Sequence, residues 1–119
     1  MENLITYQRL RKVYGDSYKV AEGYYGIMSV LNGIGMTERE VQLVAYTAIR
    51  GNITYGNVRD EFCRRHNTSG ATINNMVSRL KRLNVFIKEN GKVRVNPKLV
   101  MNFDNGVVLE IKMDRTVSE

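Results

Sequence analysis

The chain has 119 residues, 43% of them hydrophobic, which suits one compact domain with an appendage. With a single cysteine it excludes an internal disulfide, and with a single histidine it leaves little for acid–base chemistry. The formal net charge of +6 is concentrated: residues 37–98 hold twelve basic and five acidic side chains, +7, so the remainder sums to −1. A basic field confined to one segment is the electrostatic footprint of a polyanion binder. No run reaches the roughly 18–20 continuous apolar residues of a membrane helix. The opening residues lack the basic-then-apolar layout of a secretory leader, and a reducing, cytoplasmic setting is expected.

Three zones follow in order. Residues 1–36 form a tyrosine-rich extension in which Val20, Tyr24, Ile27, Met28 and Leu31 recur at helical spacing, with Asn32, Gly33 and Gly35 as a stop. Gly23 and Gly26 weaken that helix, and a strand over residues 18–25 is the alternative.

Residues 37–97 are better signposted. Thr37 and Glu40 are spaced as a capping box, and Val41, Val44, Ala45, Ala48 and Ile49 then mark one apolar helical face. Gly51-Asn52 ends that helix. After the short Ile53-Thr54 link, Thr54 is placed to cap a second helix over residues 55–65 that buries Tyr55, Val58 and Phe62. A polar break at His66-Asn67-Thr68 leads to Ser69, the N-cap of a third helix over 69–83 with Ile73, Met76, Val77, Leu80 and Leu83 inside. Two β-rich runs then flank Asn90-Gly91, a pair suited to the positive φ of a type I′ hairpin turn, and Pro97 closes the hairpin.

Residues 98–119 read as a second hairpin and a tail. Leu99, Met101 and Phe103 alternate before Asp104-Asn105-Gly106, and Val107, Leu109, Ile111 and Met113 alternate after it.

The order helix, extended link, helix, tight break, helix, hairpin, with the segment SGATINNMVSRLKRLNVFIKENGKVRVNP, resembles the winged helix-turn-helix family. The places its third helix gives to serine, threonine, a β-branched residue and leucine are held by Ser69, Thr72, Ile73 and Leu80. Asn84 stands where glycine often precedes the wing. The general look is similar to small phage and plasmid replication or transcription proteins. The string TEREVQL also resembles the start of the four-helix response-regulator output domain, but that family lacks a wing.

The resemblance implies an α+β fold, a three-helix core with a wing at residues 85–96, and double-stranded DNA binding without cofactor, metal or chemistry of its own. The residues so implicated are Ser69, Ala71, Thr72, Asn74, Asn75, Ser78, Arg79 and Arg82 on the third helix, with Lys88, Lys92 and Arg94 on the wing. A helical wheel agrees independently. At about 100° per residue, Ala71, Asn75, Ser78 and Arg82 fall opposite the apolar arc, flanked by Asn74 and Arg79. Small side chains permit close approach to a major groove, amides can pair with adenine edges, and arginine reads guanine or holds phosphate. An ordinary solvated face is the bland alternative, although two successive asparagines are poor helix formers.

The rival function is a winged-helix protein-interaction module within a larger assembly, which would present apolar residues on that helix. Single-strand or RNA binding by tyrosine stacking is a third. Cys63 and His66, three apart on a helix, lack the second ligand pair of a zinc site. The apolar faces of the two terminal zones exceed what a winged core covers, and a homodimer built from them is expected.

Overall fold

The computed structural model describes residues 11–99, 102–113 and 115. It is an α+β arrangement of four helices and one two-strand antiparallel hairpin. The first helix, α1 (Ser17–Leu31), begins where Asp16 Oδ1 accepts the Lys19 N–H at 2.9 Å and ends at Asn32, followed by Gly33 at φ 62°. The helical reading therefore replaces the strand alternative for residues 18–25. Gly23, which weakens the helix by propensity, is where Tyr14 lies: a Cβ there would come 2.5 Å from the Tyr14 hydroxyl oxygen.

The buried face of α1 is rotated from the expected one. Ala21, Tyr25, Met28 and Ser29 are buried, whereas Ile27 and Leu31 are 44% and 54% exposed. Small and aromatic residues suit that side because α1 packs along α2 (Glu38–Arg50), and Ala21 lets the two backbones approach.

α2 is the centre of the molecule. Thr37 Oγ1 accepts the Glu40 N–H at 3.1 Å and Glu40 Oε1 accepts the Thr37 N–H at 2.9 Å, so the capping box forms as spaced. Every residue from Leu43 to Ala48 is buried, not one face alone, because α1 covers one side and the hairpin and α3 (Gly56–His66) the other. Two buried polar groups find backbone acceptors, Thr47 Oγ1 donating to the Leu43 carbonyl at 2.7 Å and the Tyr46 hydroxyl to the Val58 carbonyl at 3.1 Å, whereas the buried Gln42 Oε1 accepts no hydrogen bond among the described residues. Burial, with the Glu61 carboxylate as the next cause, pushes the Tyr46 hydroxyl up to about 12.

Gly51, at φ 93°, closes α2 in the left-handed conformation. The link after it has a role that its length hides in the sequence. The Ile53 N–H donates to the Val93 carbonyl at 3.0 Å, and Thr54 Oγ1 accepts the Val93 N–H at 2.7 Å. Thr54 thus serves the hairpin instead of capping α3, whose N-cap Tyr55 makes no side-chain cap bond and is 50% exposed. Only Val58 and Phe62 of the three predicted core residues of α3 are buried.

Asn67 at φ 50° turns the chain from α3 into α4 (Gly70–Arg82), which Ser69 caps by accepting the Thr72 N–H at 3.3 Å. Asn84 at φ 59° leads into β1 (Phe86–Glu89), and Asn90 and Gly91, at φ 53° and 76°, turn it into β2 (Lys92–Val95). Asparagine tolerates this region better than other non-glycine residues, which is why it recurs at three corners. The register pairs Phe86 with Val95 and Lys88 with Val93, and Ile87 with Arg94 and Glu89 with Lys92 on the outer face; Phe86, Val93 and Val95 are buried, whereas Lys88, near the turn, is exposed.

The predicted C-terminal hairpin does not form among the described residues. Its turn is present: Asn102 Oδ1 accepts the Asp104 N–H at 3.1 Å, and Gly106, at φ 81°, donates to the Phe103 carbonyl at 3.3 Å. Among the described residues the flanks do not pair, and Phe103 is drawn into the core, its ring 5.6 Å from Tyr24 and 5.5 Å from Tyr25. Beyond Val107 the described residues are exposed, Leu109 at 41% and Ile111 at 53%. Met101 and Val100 lie outside the described residues.

Candidate nucleic-acid interface

α4 has a sharp division of faces. Ile73, Met76, Val77 and Leu80 are buried, but Leu83, expected with them, is the C-cap and 38% exposed because the helix ends before it; Ala71, Thr72, Asn74, Asn75, Ser78, Lys81 and Arg82 are exposed. The spacing that buries the first set puts the second on one outer surface, since residues three and four apart share a face. The N-terminal half of this surface is small and polar and the C-terminal half is cationic. Two hydroxyls near its start are engaged with each other: Ser69 Oγ and Thr72 Oγ1 are 3.0 Å apart and the cap holds both.

Asn74 is oriented from a neighbouring helix. Arg59 Nη1 donates to Asn74 Oδ1, and Arg59 Nε donates to the Ile53 carbonyl at 2.8 Å. One arginine thereby joins α3, the extended link and the outer edge of α4. Nothing in the local pattern of either helix announces that pairing.

Arg79, expected on the interface, is turned to the protein. Its Nη1 donates to Glu40 Oε1, a carboxylate only 3% exposed, and its Nη2 donates to the Gly35 carbonyl at 3.2 Å. It clamps α4 to the start of α2 and to the loop before it. Asn75, Ser78 and Arg82 remain outward.

On the hairpin the three expected cations differ. Lys88 and Lys92 are exposed near the turn, while Arg94 lies 3.5 Å from Glu89 across the outer face. Lys92 Nζ sits 5.7 Å from the centre of the Tyr55 ring, which joins the hairpin tip to the start of α3. Tyr55 belongs to this surface and not to the core, although its spacing with Val58 and Phe62 is helical.

Intramolecular partners sort the basic residues further. Arg50 pairs with Glu61 at 3.0 Å, Arg65 lies 4.1 Å from the centre of the Tyr18 ring, and Arg39 donates to the His66 carbonyl. Lys81, Arg82 and Lys88 have no such partner among the described residues. Lys81, Arg82 and Lys88 are therefore turned to solvent, as are Arg64 of α3 and Lys98 after the hairpin. His66, the last residue of α3, packs on Phe62 with ring centres 4.5 Å apart. Burial, reinforced by Arg39, Arg65 and Lys19, holds its imidazole below the ordinary value of 6.5. Cys63 is half-buried, and no group of three metal-ligating side chains gathers among the described residues.

An open apolar groove of about 500 Å³ lies on the other side, between the end of α1 and the start of α2, lined by Ser29, Val30, Met36 and Val41. It is separate from the outer surface of α4. No described helix is long and apolar enough to cross a membrane. Comparison of the chain with protein-family models, with curated proteins and with solved structures finds no match.

Proposed function

We propose that residues 37–97 act as a winged helix-turn-helix unit that binds double-stranded DNA, in transcription regulation or replication, without chemistry of its own. The observation that carries this reading is the outer surface of α4, small and polar at Ala71, Asn75 and Ser78 and cationic at Lys81 and Arg82. A helix so built can lie in a major groove, with its asparagines at base edges and its cations on phosphate. The hairpin, tied to the helical core through Ile53, Thr54 and Val93, extends the surface with Lys88 and Lys92 as the wing. A protein-docking use of the same helix would favour apolar residues on that face, and there are none beyond Ala71.

The test is duplex binding by the whole chain across a salt series, with random and selected sequences in parallel. The logarithm of the affinity should fall linearly with the logarithm of salt, by about 0.9 for each phosphate contact. Failure to bind any duplex at about 100 μM protein in low salt overturns the reading.

A further inference from the structure

Asn74 and Asn75 carry the same amide and stand side by side on the outer surface of α4, both exposed. The fold treats them differently. Asn74 Oδ1 accepts from Arg59 Nη1, and Arg59 is itself anchored, its Nε donating to the Ile53 carbonyl at 2.8 Å. Ile53 is fully buried, so that anchor belongs to the core. Asn75 has no hydrogen-bond partner among the described residues. A guanidinium carries only donors, so the amide atom that faces it can only be the oxygen. The Asn74 nitrogen, on the other side of the planar amide, is turned away from Arg59 with both hydrogens free to donate.

We infer that Arg59 is a positioning residue that makes Asn74 a donor, so that the two asparagines read different purines: Asn74 takes guanine and Asn75 takes adenine. The inference rests on the reading of α4 as the helix that enters the major groove. Adenine presents its N7 acceptor beside its N6 amino donor, and an asparagine matches it only by offering nitrogen and oxygen together. Asn75 is free to do so. Asn74 has committed its oxygen, and an amino group opposite its nitrogen would set donor against donor. Guanine presents O6 and N7, two acceptors side by side, which suit a nitrogen with two hydrogens. Consecutive residues lie about 100° apart on a helix, so the two amides face different base positions.

The side chains around the pair leave this task to it. The Ser69 and Thr72 hydroxyls lie 3.0 Å apart and engage each other, and Arg79, the residue type that most often reads guanine, is bound to Glu40 and the Gly35 carbonyl. For Asn74 to read adenine its amide would have to rotate away from Arg59, exchanging a charge-assisted hydrogen bond for a neutral one of roughly half the strength. A phosphate oxygen would also accept from the Asn74 nitrogen, but it carries no base identity, and base preference separates the two.

The test selects duplexes from a random pool with the full chain and compares base preference position by position. Wild type should show a guanine-preferring position that is lost in Asn74→Ala and an adenine-preferring position that is lost in Asn75→Ala, each preference about fivefold or more. Arg59→Met removes the donors that hold the Asn74 oxygen. Guanine should then give way to adenine at the Asn74 position, with the Asn75 position unchanged. Asn74→Asp still accepts from Arg59 but has nothing to donate, and it should move the same position to cytosine, whose N4 amino group is a donor. Circular dichroism and the thermal midpoint show whether each variant is folded, and Asn74→Asp, which keeps the Arg59 bond, decides alone if Arg59→Met does not fold. A guanine preference that survives Arg59→Met overturns the inference, even if affinity falls, because a lost charge acts on every sequence alike. So does an Asn74→Ala variant that loses affinity for all sequences equally, which would put the amide on phosphate. Both results leave the proposed function standing, whereas absence of duplex binding removes that reading and this inference together.

Discussion

Glu40 combines a capping role with a charge that the fold has nearly removed from water. It is 3% exposed, accepts the Thr37 N–H and pairs with Arg79 of α4. Removing one partner of a buried pair leaves the other charge uncompensated, at about 3–5 kcal/mol. The Arg79 side chain is 38% exposed, so water softens that penalty, and Arg79→Ala should cost about 2 kcal/mol in chemical denaturation. Glu40→Gln retains an acceptor for the Thr37 N–H and should cost about 1 kcal/mol. Adding it to Arg79→Ala should recover part of the loss, and strict additivity would show that the two groups do not interact. His66 makes a separate prediction at this scale. Its folded value lies below 6.5, so between the two values the unfolded chain holds a proton that the folded chain does not. The stabilising contribution is complete above 6.5 and is lost as pH falls through the window beneath it. The thermal midpoint should decline from pH 7.5 to 5, less steeply in His66→Gln. Equal slopes would assign the decline to other groups.

Among the elements, α4 and the hairpin should separate in binding assays. Asn75→Ala and Arg82→Ala should weaken duplex binding with little change in thermal midpoint, since both side chains are exposed. If Asn75 reads a base, its loss should cost about 1–3 kcal/mol at one position of the site. Unchanged affinity in both variants removes α4 from the interface. Lys88→Ala with Lys92→Ala should weaken all sequences alike and lower the salt slope by about one unit for each lost phosphate contact. Arg94→Ala should matter less, because Glu89 already faces it at 3.5 Å. The hairpin depends on one hydroxyl for its attachment. Thr54→Val would keep shape but leave the Val93 N–H without its 2.7 Å acceptor, a loss of about 1–3 kcal/mol in denaturation. A stability equal to wild type would mean that another acceptor replaces it.

At the level of the whole molecule, one core runs from α1 through α2 to the hairpin, and Phe103 closes it from beyond the hairpin. Its ring meets Tyr24 and Tyr25 and is 2% exposed, so Phe103→Ala should cost about 3–5 kcal/mol. Deleting residues 106–119 should leave the thermal midpoint nearly unchanged, since the described residues there are exposed apart from the half-buried Val107. A large loss on truncation would mean that this segment supports the core directly. The two changes therefore mark where the folded body ends.

The sequence by itself determined the features whose causes lie within a few residues of one another. The Thr37–Glu40 box, the Ser69 cap, the apolar arc of α4 from Ile73 to Leu80 and the Asn90-Gly91 turn are set by local hydrogen bonds and dihedral preference, and each stands as read. Tertiary structure decided whatever required choosing among partners far apart in the chain. Arg79 has the spacing of an interface residue, but a buried carboxylate 39 positions away is the stronger partner in a water-poor setting. Thr54 has the place of a helix cap, but the Val93 N–H needed an acceptor. α1 carries apolar residues nearly all round, so periodicity could not say which face meets α2, and the Phe103 ring settled the position of Tyr24. The segment after Gly106 alternates as a strand should, yet alternation specifies only a face. A strand needs a neighbour to pair with, and among the described residues the two flanks of that turn do not pair, with Phe103 of the first flank in the core.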